Sequence, residues 1–292
     1  MHKNLFLLLS FLCCGFISAQ NSYRNLSSEN WTFNKQNDSQ KNKAKVPGTI
    51  HTDLFENQLI PNPFVGTNEK ELQWIENENW EYETKFNLSK TELKNQNIDI
   101  IFEGLDTYAT IYLNGKLLLE TDNMFRTWHT SVKDKLQIGE NHIKINFKPA
   151  SNYGKDEAKK LPYTLPGDEK VFTRKAQYQY GWDWGPRFVT CGIYKPIKLH
   201  FWNAAKIENI KYSQIELNDT KAILEFTTEV NVSEVQPIEL QINEKTKTFL
   251  LKKGKNKIKM QYEIAKPKLW WCNGLGDANL YSFQINISKK KK

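Results

Sequence analysis

The strongest constraint in this chain is a period of two. Trp80, Tyr82, Thr84 and Phe86 alternate with charged or polar neighbours, and so do Ala109, Ile111 and Leu113, then Ile143, Ile145 and Phe147. Successive side chains of a strand point to opposite faces, so this spacing fits strands with one buried face and does not fit a helix. Residues 98–102 add a short apolar run, and Asn114-Gly115 just before Leu117 is the pair favoured in tight hairpin turns. Strands with turn signals between them predict an antiparallel sandwich or jelly roll.

One helix interrupts the pattern. Thr49 is placed to cap a segment carrying Ile50, Leu54 and Leu59 near helical spacing, which Pro61 closes. Residues 193–202 read as the last strand of a first unit. From about residue 204 aromatics thin out, and Lys and Glu alternate with Ile and Leu through 223–230, 238–242 and 258–262. That remainder approaches the ~100 residues of an immunoglobulin-like sandwich. The expected architecture is all-β: a jelly-roll sandwich over 20–203, an immunoglobulin-like sandwich over 204–288, and a solvated Lys tail over 289–292. Nine Trp and a hydrophobic content of 39% rule out a disordered chain.

Residues 1–19 have the form of a secretory signal peptide, with Lys3 ahead of an apolar core and Ala19 before the expected cut. Cys13 and Cys14 raise a lipid anchor, but Leu12 is not the small residue such processing wants. The apolar run is shorter than the ~20 residues of a spanning helix. A secreted or periplasmic protein without a membrane span is expected. The net charge of +8 owes five of its lysines to Lys3 and the C-terminal Lys run, and only Arg24, Arg126, Arg174 and Arg187 offer a guanidinium fork. Nucleic-acid binding is therefore not expected. The histidines share no metal-ligand spacing, and neither a phosphate loop nor a Gly-x-Ser-x-Gly elbow occurs. No metal and no cofactor are expected. Cys191 and Cys272 lie far apart and read as two free, mostly buried thiols.

The most informative stretch is Gly181-Trp182-Asp183-Trp184-Gly185-Pro186. A Trp face can lie against the C–H face of a pyranose, and an ionised Asp can accept protons from two neighbouring sugar hydroxyls. The same residues also suit a core position and a turn cap. Chemistry alone leaves both readings open. Trp31, Trp74, Trp80, Trp128, Trp202, Trp270 and Trp271 read as core or domain-interface anchors.

The run from Arg174-Lys175-Ala176-Gln177-Tyr178 to Gly181-Trp182-Asp183-Trp184-Gly185-Pro186-Arg187 resembles β-mannosidases of glycoside hydrolase family 2. Val46-Pro47-Gly48-Thr49-Ile50-His51-Thr52-Asp53-Leu54 is similar to the family's early helix. Phe102-Glu103-Gly104-Leu105-Asp106-Thr107 and Tyr112-Leu113-Asn114-Gly115 are similar to its jelly-roll strands, and Leu269-Trp270-Trp271-Cys272-Asn273-Gly274-Leu275-Gly276 to the close of its second domain, with Cys272 where Pro is usual. The resemblance covers about residues 30 to 287. It implies a galactose-binding-like jelly roll whose Trp182, Asp183 and Trp184 hold a terminal mannose.

The resemblance also implies a third, catalytic TIM barrel of ~250 residues, for which this chain is too short. Retaining glycosidases need two carboxyl groups ~5–5.5 Å apart. Asn68-Glu69 and Asn243-Glu244 match the family's Asn-Glu dipeptide by chance, one in an expected loop and one in the second sandwich, so no catalytic residue carries over. The expected function is the N-terminal portion of an exo-β-mannosidase acting on β-mannoside oligosaccharides, with the barrel missing or separately encoded. A freestanding carbohydrate-binding module and a non-catalytic adhesion or scaffold protein are the alternatives.

Overall fold

A computed structural model describes residues 21–290. The expected signal peptide, with Cys13 and Cys14, and the last two lysines lie outside the described residues. The chain divides into two compact units, one spanning Ser22–Trp202 and one from Asn203 onward.

In chain order the strands of the first unit are β1 (Ser22–Asn25), β2 (Thr32–Lys35), β3 (Asn42–Lys43), β4 (Trp80–Leu88), β5 (Asn97–Phe102), β6 (Tyr108–Leu113), β7 (Lys116–Asp122), β8 (Trp128–Ser131), β9 (Gly139–Lys148), β10 (Tyr180–Trp182), β11 (Gly185–Arg187) and β12 (Ile197–Trp202). Six form a sheet in the order β3-β2-β4-β9-β6-β7, and four form another in the order β1-β12-β5-β8. All these pairings are antiparallel. The alternation decides which faces meet. Trp80, Tyr82 and Phe86 of β4 join Ile143, Ile145 and Phe147 of β9, and Ile98, Ile100 and Phe102 of β5 join Ile197, Leu199 and Phe201 of β12, all in one buried core. Each such side chain contributes about 1.5–3 kcal/mol on burial. The β6–β7 turn holds Asn114 and Gly115 at φ +51° and +77°, the double left-handed turn that Asn-Gly tolerates.

Helix α1 (Ile50–Glu56) begins after Thr49 as the sequence implies, and buries Ile50, Asp53 and Leu54. Leu59 is exposed instead of extending that face, because the helix has ended and Gln58 turns the chain at φ +58°. Three further helices were not expected: α2 (Asn68–Glu71), α3 (Lys90–Leu93) and α4 (Ala150–Ala158). In α4, Gly154 lies so close to the turn at Glu169 that an added Cβ would stand 2.3 Å from its carbonyl oxygen. Helix and turn approach where glycine alone leaves room.

The second unit contains β13 (Ala205–Leu217), β14 (Lys221–Val232), β15 (Gln236–Ile242), β16 (Lys245–Leu251), β17 (Gly254–Ala265) and β18 (Ile285–Lys289). Two three-stranded sheets, β13-β14-β17 and β16-β15-β18, share a core that includes Phe226, Val230, Ile238 and Leu240. β18 runs through Lys289, and the Lys290 amide donates to the Pro237 carbonyl at 3.2 Å, so pairing continues past residue 288. Two expectations need correction. Trp74, Trp270 and Trp271 are exposed, whereas Trp31, Trp80 and Trp202 are buried. Cys191 is half-buried and Cys272 exposed, because the segment after β17 is largely loop; both are free. Among the described residues, no helix is long and apolar enough to cross a membrane.

Candidate functional site

β10 and β11 pair only with each other among the described residues. Tyr180 lies opposite Arg187 and Trp182 opposite Gly185, which leaves Asp183 and Trp184 as the turn. Gly181 takes φ +88°, a kink that L side chains resist. Pro186 has no amide hydrogen and suits a strand whose outer edge is unpaired. The structure thus brings Trp182, Asp183 and Trp184 together at a projecting tip. Trp182 is 60% exposed and Trp184 87%, and Asp183 is exposed between them. None of the three belongs to the sandwich core.

A hairpin with three-residue strands is marginal on its own. It is held by its last residue. Arg187 donates from Nε to Glu76 Oε2 at 3.1 Å and from Nη2 to Glu76 Oε1 at 2.6 Å, a bidentate pair, and Nη2 also reaches Glu169 Oε1 at 2.8 Å. Its guanidinium lies 5.4 Å from the Tyr180 ring centre. Its amide donates to Glu69 Oε1 at 2.5 Å and its carbonyl accepts from Gln73 Nε2 at 3.0 Å. Burial alone would push the Glu169 carboxyl upward, but hydrogen bonding and charge from Arg187 bring it below its ordinary value. Tyr180 is pushed up to about 12 by burial, so its hydroxyl keeps its proton and bonds to Thr173 Oγ1 at 2.9 Å.

Beneath the hairpin lies a buried polar layer. Lys175 Nζ donates to Asp106 Oδ1 at 2.6 Å and to the Thr190 carbonyl at 2.6 Å, with the Lys175 side chain wholly buried. Gln179 extends this pair: its Nε2 donates to Asp106 Oδ2 at 2.9 Å, and its Oε1 accepts the Thr190 amide at 3.3 Å. His51 Nδ1 stands 2.9 Å from Thr190 Oγ1. Burial, reinforced by the Lys175 charge, pushes His51 down to about 4, so it is neutral at physiological pH.

Two recesses flank the hairpin. One, of about 750 Å³, has aromatic walls from Tyr178, Trp182, Trp184 and Phe188 over a polar floor of Gln179 and Thr190. The other, of about 610 Å³, is polar and is lined by Glu69, Lys170, Trp182, Asp183 and Arg187. Trp182 borders both, whereas Trp184 lines the first and Asp183 the second. The tip therefore offers stacking surface on one side and charged hydrogen-bonding groups on the other. Sequence reading missed Glu69, Lys170 and the anchoring role of Arg187. An unpaired-looking Arg directly after the aromatic run was the available signal for the last.

Glu69 lies in α2, not a loop, and Glu244 sits in the β15–β16 turn, where Oε1 accepts from the Tyr262 hydroxyl at 3.0 Å. The described residues contain no His, Cys, Asp and Glu cluster able to hold a metal.

Comparison with known proteins places this geometry in context. A profile described as the glycosyl hydrolase 2 galactose-binding domain-like family matches residues 31–195, and a glycosyl hydrolases family 2 profile matches residues 205–292. The chain is 31% identical to β-mannosidase B of Emericella nidulans over 284 residues, covering 91% of this chain and 33% of that protein. It is 32% identical to a probable β-mannosidase of Caenorhabditis elegans, covering 90% and 32% respectively. A crystal structure of β-D-mannosidase from Dictyoglomus thermophilum superposes with a TM-score of 0.87 at 41% identity, covering 91% of this chain and 34% of that one. The Amycolatopsis orientalis exo-chitosanase CsxA superposes at 0.65 with 15% identity over 87% of this chain and 30% of its own, a likeness of fold. The chain spans about a third of the length of the curated relatives it matches.

Proposed function

The chain belongs to glycosyl hydrolase family 2, and from that premise we propose that it is the substrate-recognition portion of an exo-acting β-mannosidase. The complete enzyme removes terminal, non-reducing β-D-mannose from β-mannoside oligosaccharides with retention of configuration, using carboxylates of a TIM barrel that is fused to this region or separately encoded. Asp183 accepts protons from sugar hydroxyls, and Trp182 and Trp184 form the wall of the cradle. The observation that carries this reading is the exposed Trp182-Asp183-Trp184 tip, clamped at its base and bordered by two open recesses, one aromatic and one polar. A buried trio would have ended it. Export to the periplasm or medium is part of the proposal, and it requires the mature protein to begin at Gln20 on N-terminal sequencing.

The test joins this chain to the barrel of a β-mannosidase. Asp183→Ala should lower kcat/KM by a factor worth about 2–4 kcal/mol, the scale of a lost hydrogen bond to a charged group. An unchanged kcat/KM refutes the assigned role. The 292-residue chain assayed alone should hydrolyse no chromogenic β-mannoside. The exposure of Trp184 also suits a freestanding carbohydrate-binding module, and calorimetry separates the two readings. A loop that completes another domain's pocket binds mannobiose no better than the millimolar range, about 4 kcal/mol, whereas a dedicated module binds more tightly.

A further inference from the structure

The polar recess beside Asp183 contains a cation with no assigned task. Lys170 lies in the single turn Asp168–Phe172, which packs against α4 where Gly154 permits close approach. Its backbone is firmly held: the carbonyl accepts from the Thr173 amide at 3.3 Å, Thr173 Oγ1 at 3.1 Å and Gln177 Nε2 at 2.9 Å. Its side chain is treated differently. Lys170 is half-buried and lines the recess with Asp183 and Glu69, yet its ammonium makes no hydrogen bond or ion pair among the described residues. The neighbouring acid Glu169 is turned to Arg187 instead.

The recess therefore presents two carboxylates and one ammonium, since the charge of Arg187 is satisfied by Glu76 and Glu169. That balance disfavours an anion and suits a neutral polyol. A carboxylate only accepts protons, so the oxygens of the hydroxyls it binds still need a donor, and an ammonium supplies three. Acceptor and donor on one recess can clamp adjacent hydroxyls from both sides, each bond polarising the next.

We propose that Lys170 is a further sugar-contacting residue, which donates to the oxygens of hydroxyls whose protons Asp183 accepts. This rests on the reading of the hairpin as a mannoside cradle. The test titrates the full chain with methyl β-D-mannoside, up to about 50 mM for a millimolar binder. Trp fluorescence is the readout, because Trp182 borders the recess. Lys170→Met should weaken binding about tenfold, as loss of a charge-assisted hydrogen bond requires, while Lys170→Arg restores it. Matching thermal melts for both variants establish that the fold is retained. Full affinity in Lys170→Met, with Asp183→Asn impaired, overturns the role of Lys170 and leaves the cradle reading intact. Full affinity in both variants, or no saturable binding by the unaltered chain, overturns both. Tighter binding of D-glucuronate than of the mannoside also overturns the proposal, because it marks an anion site.

Discussion

Replacing Arg187 with Ala removes the side chain that ties the hairpin to Glu76 and Glu169. The Glu76 and Glu169 side chains it binds are 8% and 12% exposed, and that of Arg187 is 30% exposed. Breaking a buried pair by deleting one partner costs about 3–5 kcal/mol, because the remaining charge stays desolvated. Partial exposure of the guanidinium brings this down, and about 2–4 kcal/mol is the expected loss at pH 7. Protonation sets the ceiling for Glu169. A carboxyl of ordinary pKa 4.5 escapes its unpaired charge by taking a proton, at about 3.4 kcal/mol at pH 7 and about 0.7 kcal/mol at pH 5. The penalty must therefore shrink on acidification. Urea unfolding followed by Trp fluorescence at both pH values measures it, and amide exchange over residues 180–187 reports loosening of the hairpin itself. Arg187→Lys should fall in between, because it keeps the charge and loses the bidentate fork. A loss below about 1 kcal/mol at pH 7, or one that does not shrink at pH 5, refutes the view that desolvated charge holds the clamp.

The buried Lys175–Asp106 pair gives a second expectation. Lys175→Met leaves Asp106 with the Thr107 hydroxyl and the Gln179 amide, which should cost about 3–5 kcal/mol; adding Asp106→Asn should recover part of it in the same unfolding assay. A third concerns pH. Burial raises Asp53 to about 6, so the folded state holds a proton the unfolded chain has released, and this group favours folding increasingly as pH falls from 6 towards 3.8. His51 is lowered to about 4, so its contribution is complete above 6.5 and is lost as pH falls through that value towards 4. The two slopes oppose each other. Unfolding midpoints measured from pH 6.5 to 4 should rise on acidification in His51→Gln and fall in Asp53→Asn, and parallel profiles in the two variants would contradict both assignments.

The sandwich was legible because alternation is a local property. Trp80, Tyr82, Thr84 and Phe86 announce a buried face without reference to any partner, and Asn114-Gly115 announces its own turn. Helix α4 was not legible, because Gly154 argues against a helix until the Glu169 turn packed against it explains the missing side chain. The exposed Trp74, Trp270 and Trp271 show that residue type does not decide burial. At the candidate site, the tip was visible as one contiguous run. Its supports were not: Glu76, and Ser151 whose Oγ accepts from Arg187 Nη2 at 3.3 Å, stand 111 and 36 residues from Arg187 in sequence. Glu69 and Lys170 reach the recess on separate short helical turns. Only folding reveals such groups as neighbours.

The pairing of β1 with β12 has a practical consequence. Ser22 lies opposite Phe201, and the Tyr23 ring stacks on His200 with centres 4.2 Å apart. The beginning and end of the first unit therefore meet on a single strand pair. A segment whose termini adjoin can be rejoined by a short bridge and reopened elsewhere, or spliced into a surface loop of an unrelated host. The Trp182-Asp183-Trp184 tip could travel in that way as a transplantable part.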